Sequence, residues 1–292
     1  MFRCIITAGP WIFLAATTLS AHAADETHLL RYKFTPGEAI RTKVVHQATV
    51  KTTIDGTSQT ANTVSVSVKN WNVEDVTDGM ATFVHSVDYV DMWNQISGRE
   101  KISYDSRQDA DPPAGFETVA QEVAIPLTRF KVDGQGMIVH REKLRTTPAP
   151  EAGHVMIPLP EEPIAIGGTW DFPYDVPVTL RGGEKKIIKA RQRFTLESVK
   201  DDVAAIKIET QILTPVNNPE IQAQLVQRES TGTAQFDVKL GKMIRQQVDL
   251  DRRVIGYPNE ASSMHYRTRF TEELLRDDLK TAAQPDGKLE KK

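Results

Sequence analysis

The chain of 292 residues holds one cysteine, Cys4. A lone thiol excludes an internal disulfide and a cysteine-based zinc site. Glycine and proline number only 17 and 16 and follow no period, which excludes collagen-like and low-complexity architectures. No excess of either charge is present: 36 Lys and Arg stand against 39 Asp and Glu, a net charge of −3. Phosphate binding needs a basic excess, so no nucleic-acid partner is expected. The modest net charge and 39% apolar content also argue against wholesale disorder. Beyond the N-terminus no apolar run approaches the roughly 20 residues of a membrane span, so no transmembrane anchor is expected.

The one long apolar run is Cys4 to Leu19, interrupted by Pro10. Arg3 precedes it, and Ala21-His22-Ala23 follows as a small-x-small cleavage site. Residues 1–23 therefore read as a secretory signal peptide, placing the mature protein in the periplasm or outside the cell. Cleavage removes Cys4, so the mature chain is cysteine-free. It also leaves no cysteine at the cleavage site to carry a lipid. A chain this long can rely on its core without disulfides.

The dominant period is two. Val44, His46, Ala48, Val50 and Ile54 alternate with Gln47, Thr49, Lys51 and Thr53, and Asp55-Gly56 reads as a hairpin turn. Val64, Val66 and Val68 continue the alternation. Trp71 and Val73 then occupy odd positions, a slip that predicts a β-bulge near Lys69-Asn70. After Asp78-Gly79, residues 81–93 form another strand, with Phe83, His85, Val87, Tyr89 and Trp93 on one face. Such strands predict an antiparallel meander. Short helices are expected at about 114–127 and 219–228; the second opens with Asn218-Pro219-Glu220, a cap, a first-turn proline and an acid at the positive dipole end.

The pattern occurs twice. At an offset of 123, Trp71, Val73, Glu74, Ala81 and Phe83 meet Phe194, Leu196, Glu197, Ala204 and Ile206. At an offset of 106, Phe130, Val132 and Ile138 meet Phe236, Val238 and Ile244. The expected organisation is repeat 1 over 24–147, a Pro-rich connector over 148–168, repeat 2 over 169–275 and a polar tail over 276–292. The connector's apolar stretch Val155–Leu159 is expected to lie on the protein surface. The fold class is mainly β (α+β), with two similar curved antiparallel sheets, each bearing one short helix, half-barrel-like in form.

Tyr32-Lys33-Phe34-Thr35-Pro36-Gly37-Glu38, Val90-Asp91-Met92-Trp93, Glu260-Ala261-Ser262-Ser263-Met264-His265-Tyr266 and the segment from Arg269 to Leu275 carry a resemblance to a family of exported bacterial proteins of unknown function. The likeness spans most of the mature chain and implies an envelope β protein with no activity to transfer. In architecture alone, the chain is also similar to the half-barrels of bacterial lipoprotein carriers.

Chemistry-bearing motifs are sparse. No His-x-His, His-x-x-x-His or Gly-x-Ser-x-Gly frame is present, and Gly134-Gln135-Gly136 and Gly167-Gly168 read as turns. No catalytic residue, metal ligand or cofactor is therefore expected. His46 and His85 sit in apolar stripes, either as core or cavity-wall histidines or as a pair within a cavity; the repeat sets apolar Ile208 at the place of His85, which favours the first reading. His265, Arg267 and Arg269 form a basic row that reads as a solvated face opposite acidic neighbours or as a site for an anionic head group. Trp71, Phe83, His85, Tyr89 and Trp93 are the candidate lining of an apolar pocket.

The leading expectation is a non-enzymatic envelope protein that binds an apolar or lipid-like small molecule on a concave sheet face. The alternative is a structural module that binds another envelope protein. A hydrolase of unknown type is the third reading.

Overall fold

The computed structural model describes residues 26–145 and 156–275. The expected signal peptide, the expected tail and residues 148–155 of the expected connector lie outside the described residues. In chain order the elements are β1 (Thr27–His28), β2 (Ala39–Ile54), β3 (Thr57–Thr77), β4 (Met80–Ile96), β5 (Ile102–Asp105), α1 (Glu117–Ala120), β6 (Pro126–Val132), β7 (Ile138–Lys143), β8 (Ile164–Ala165), β9 (Thr169–Thr179), β10 (Lys185–Lys200), β11 (Val203–Ile212), α2 (Pro219–Leu225), β12 (Thr231–Asp237), β13 (Lys242–Ile255) and β14 (Ser263–Leu274).

Twelve of these strands form one large antiparallel sheet, which is not closed. Its order is β7-β6-β4-β3-β2-β14-β13-β12-β11-β10-β9, with β5 added beside β4. The C-terminal strand β14 sits between β2 and β13, from Thr42↔Leu274 to Thr53↔Ser263 on the β2 side. The two halves therefore share a single sheet. Connectivity runs in the same sense on both sides of β14: β2-β3-β4-β6-β7 on one, β9-β10-β11-β12-β13 on the other. Val73 pairs with Phe83 just before a bulge at Glu74, and Leu196 pairs with Ile206 just before a bulge at Glu197. In β6 and β12 the matching irregularities fall at Lys131/Val132 and Gln235/Phe236, an offset of 104 rather than the expected 106.

Tight turns fix one end of the sheet, here termed proximal. Asp78-Gly79 and Asp201-Asp202 all adopt positive φ, the conformation two-residue hairpins require and one that Asp tolerates better than most residues. The opposite, distal end carries the β2–β3 turn at Asp55-Gly56 and the β13–β14 loop.

Directly paired residues share a face. Trp71, Phe83, Phe130, Phe194, Leu196, Ile206 and Phe236 all point to one face, termed inner, and are buried. The N-terminal segment crosses its proximal part: Tyr32 N–H donates to Gly134 O and Lys33 N–H to Gly241 O. Leu30, Tyr32 and Phe34 pack there on the aromatic core, Phe34 meeting Phe83 edge-on at 4.7 Å. Ile157 and Leu159 are buried beside them, which corrects the surface placement expected for Val155–Leu159 over its described part; Val155 lies outside the described residues. Two-sided burial of such side chains stabilises the fold by about 2–3 kcal/mol each.

The helices cover the flanks of the inner face. α2 is capped by Asn218, whose side chain accepts from Glu220 N–H, and buries Ile221 and Leu225 against β9 and β10. α1 is a single turn, shorter than the 114–127 expected, because Phe116 provides no side-chain cap and Ala124 turns to positive φ. Phe116 nevertheless packs with Val90 and Tyr104 over β4 and β5. No helix among the described residues is long and apolar enough to cross a membrane.

Candidate functional site

Distal to the filled core the inner face continues over the centre of the sheet. There β2 contributes His46, Ala48 and Val50, paired with Phe270, Thr268 and Tyr266 of β14. On the other side the same residues meet Ser65, Thr63 and Ala61 of β3, and Ser65 meets Met92 of β4. Every one of these side chains is only half-buried, whereas Val44, one step proximal on β2, is buried. The strip therefore starts where the N-terminal covering segment ends. The Phe116 cluster borders it on one side. On the other lies a cleft of about 480 Å³ beside α2, lined in part by Ile212, Val216, Leu225, Val226, Arg252 and Val254.

A buried polar seam closes the proximal end of the strip. Glu272 accepts hydrogen bonds from Thr42 Oγ1 at 2.7 Å and Gln246 Nε2 at 3.1 Å, and Lys69 Nζ lies 3.9 Å away. Lys242 pairs with Glu38 at 2.9 Å, donates to the carbonyl of Lys33 and lies over the Phe34 ring. Burial, opposed by Glu38, lowers the Lys242 pKa. Burial and, to a smaller extent, the Glu272 carboxylate raise the Tyr32 pKa strongly. A cavity of about 40 Å³ lies between Tyr32, Trp71, Met243 and this seam.

Sequence reasoning gave these charged residues no role. Glu272 carried a readable signal: it interrupts the even-numbered apolar run Met264, Tyr266, Phe270 and Leu274 with a carboxylate. A charge on the buried phase of a strand needs partners, and Thr42, Gln246 and Lys69 supply them.

The structure divides the five candidate lining residues between two faces. Trp71 and Phe83 belong to the filled proximal core. His85 stacks on Trp71 with ring centroids 4.3 Å apart. Tyr89 and Trp93 lie on the outer face, because β4 carries an extra residue, Asp88, between Val87 paired to Lys69 and Tyr89 paired to Val68. The slip expected near Lys69-Asn70 is thus an irregularity at Val68/Lys69 whose extra residue sits on the partner strand. Asp88 is anchored by Arg41 at 2.7 Å. On the outer face, Arg107 lies over the Tyr89 ring and Lys101 over the Trp93 ring.

His46 and His85 both stay on the inner face, and both pKa values are lowered by burial. His85 falls to about 4, with Lys69 adding to the effect. Its Nε2 is buried without a hydrogen-bond partner. The row His265, Arg267, Arg269 lies on the outer face, where Arg269 pairs with Asp249 at 2.7 Å and His265 with Asp251 at 2.6 Å. A polar cleft of about 690 Å³ opens beside it, lined by Gln47, Asp249, Asp251, Arg252, Arg267 and Arg269 among others. Among the described residues, no group of three or more His, Cys, Asp or Glu side chains comes together to hold a metal ion.

No protein-family model and no curated protein matches the chain. Among solved structures it is similar to lipovitellin, in a structure described by its lipid–protein interactions, with TM-score 0.45 and 11% identity over 83% of this chain. The match spans only 25% of the lipovitellin chain. It is also similar to OpdQ of Pseudomonas aeruginosa, with TM-score 0.23 and 6% identity over 81% of this chain and 98% of that one. A DUF1329 family protein from Desulfovibrio piger matches with TM-score 0.15 and 10% identity over 77% of this chain and 83% of that one. At such scores these likenesses assign neither a family nor a function.

Proposed function

We propose that this chain is a non-enzymatic, exported envelope protein whose distal inner face holds an apolar or amphipathic ligand. One observation carries the reading. The apolar phase of β2 and β14 continues past the filled core as a half-buried strip bounded by helical flanks. Single exposed apolar residues are ordinary, but Val50, Ala61, Met92, Tyr266 and Phe270 left half-buried together on the inner side of one sheet make a surface suited to a ligand. Ser65, Thr63, Thr268 and neutral His46 interleave with the apolar side chains, which suits a ligand with a few polar atoms along an apolar body.

We also propose that the two five-strand halves are copies of one unit, each a curved half-barrel with one short helix. Their common strand order and the matched Glu74 and Glu197 bulges support this. The duplication explains why the sheet has two flanking helices and a central strip between them.

A second reading, an interaction module for another envelope protein, has one observation in its favour. β7 is an unpaired sheet edge bearing Val139, which is 56% exposed. Open edges accept a further strand. β9, the other edge, contains Pro173 and Pro177, which blunt it.

Native mass spectrometry of the exported chain, purified from a bacterial periplasm and repeated after organic extraction, tests the leading reading. A stoichiometric apolar mass released by extraction is expected. A clean apo mass with no uptake from added lipid would overturn it.

A further inference from the structure

At the distal end of the outer face, three nitrogen-bearing side chains stand in one row across adjacent strands. Lys51 of β2 pairs with His265 of β14, which pairs with Arg253 of β13. Directly opposed side chains lie about 4.5–5.5 Å apart at Cβ, so His265 stands between the Lys51 and Arg253 cations. Among the described residues, neither Lys51 nor Arg253 has an ion-pair partner. Arg253 donates only to Ser263 Oγ, at 3.2 Å. Of the acids nearest the row, Asp251 pairs with His265 itself at 2.6 Å, and Asp55 accepts from Asn259 Nδ2. Lys51, Thr53, Arg253, Ser263 and His265 together line a niche of about 110 Å³. Two hydroxyls and two unpaired cations around such a space are suited to an oxyanion.

The apolar residues next to this niche are as telling. Ile255 is 67% exposed and Ile54 is 43% exposed. Ile255 shares its register line with Ser263 and Thr53, and Ile54 is the next residue on β2. Both sit at the strand tips, beside the half-buried Tyr257 of the β13–β14 loop. The cations lie two to three residues behind them, about 7–10 Å at the usual rise per residue. That spacing matches a surface that inserts apolar tips roughly 5–10 Å while its cations stay at head-group level.

The charge of this end differs from that of the whole molecule. In the distal segments Lys51, Arg99, Lys101, Arg181, Lys185, Lys186, Arg228, Arg252 and Arg253 stand against Asp55, Glu100, Glu184, Glu220, Glu229, Asp251 and Glu260, a slight basic excess in which Arg252 is paired with Glu229 at 3.2 Å, whereas the full chain is net −3. We infer that the distal tips of β2, β13 and β14 dock on an anionic phospholipid bilayer, with the Lys51–His265–Arg253 niche receiving a lipid phosphate and Ile54 and Ile255 entering the interface. The docked tips adjoin the distal end of the ligand strip, so the inference rests on the ligand-holding reading for its purpose but not for its binding surface.

Vesicle sedimentation tests it, using the exported chain with phosphatidylcholine vesicles that contain or lack phosphatidylglycerol. Binding is expected only to the anionic vesicles, and it should weaken as salt is added. The double variant Lys51→Glu with Arg253→Glu should bind at least roughly tenfold more weakly. The variant Ile54→Ser with Ile255→Ser should also lose binding at unchanged net charge. Lys200→Glu with Lys239→Glu, at the proximal turns, applies the same charge change and should bind as the parent does. Equal loss in this control, or no preference of the parent for anionic vesicles, overturns the docking surface. The salt dependence of the parent decides the matter even where a variant folds poorly. A chain that binds vesicles but carries no extractable lipid would retain the docking surface and lose the carrier reading; the converse result would do the reverse.

Discussion

Trp71 and His85 stand directly opposite each other on β3 and β4, their ring centroids 4.3 Å apart and their planes inclined by 32°. The imidazole is held against an apolar ring, with Nε2 lacking an acceptor and Lys69 nearby. Both features favour the neutral form, and the pKa falls from 6.5 to about 4. The folded-state value is therefore below the unfolded one. Neutral His85 contributes stability that is fully present above about pH 6.5 and is lost as pH falls toward 4, at most about 3 kcal/mol. His46 acts in the same direction. Denaturant midpoints between pH 7 and pH 4 should fall steeply for the parent chain and less steeply for His85→Phe. An identical slope in the two proteins would show that His85 is not held neutral.

The buried Lys242–Glu38 pair, with the two side chains 7% and 11% exposed, ties the N-terminal segment to β13. Removing one charge strands the other. Lys242→Ala is therefore expected to destabilise the fold by about 3–5 kcal/mol. The double variant Lys242→Met with Glu38→Leu should recover much of that loss, since replacing both ions with apolar groups of similar volume is often close to neutral. Urea unfolding of the parent, Lys242→Met, Glu38→Leu and their double variant, with Lys242→Ala alongside, would measure the coupling. A double variant as unstable as Lys242→Ala would assign the loss to packing over Phe34.

Gly232 of β12 lies where β13 passes close by. A Cβ built there would come 2.2 Å from Gln247 O and 2.9 Å from Val248 Cα. Those are backbone atoms and have nowhere to move without breaking the ladder. Gly232→Ala should cost on the order of 2 kcal/mol or more despite its better intrinsic strand entropy. Amide exchange should show faster opening in β12 and β13 and little change in β3. A neutral substitution would mean that the two strands can separate without penalty.

The strands were legible because each carries its own period of two, and Asn218-Pro219 marks a helix start from side-chain chemistry alone. The placement of Tyr89 and Trp93 was not. Their side depends on Asp88, an extra residue on β4 that changes phase only relative to β3. The sequence pattern shows the slip on β3 but not which strand holds the added residue. The β2–β14 pairing was also hidden, because it joins the two ends of the chain and rests on no turn. The strip of His46, Ala48 and Val50 was visible as an apolar face. Its exposure follows from where Tyr32 and Ile157 stop covering it, a tertiary fact that alternation does not encode.

That alternation gives the sharpest test of the ligand strip. Ala48 and Thr49 are adjacent on β2 and both half-buried, yet they point to opposite faces. Lysine at 48 would place a charge among Val50, Tyr266 and Phe270; lysine at 49 would join the polar outer cleft beside Asp249 and Asp251. Half-burial lets the long side chain carry its charge toward water, so both variants should fold, with stability changed by about 1 kcal/mol or less. A ligand lying on the inner strip would meet the charge at 48 and not at 49. Ala48→Lys should therefore weaken uptake of a fluorescent apolar probe by roughly tenfold or more, the cost of desolvating a charge against an apolar ligand. Thr49→Lys should titrate as the parent does. Probe titration of the three proteins, with thermal denaturation alongside, decides between the two faces. Equal loss in both variants would show that the probe does not read the inner strip. Loss confined to Thr49→Lys would move the binding surface to the outer cleft.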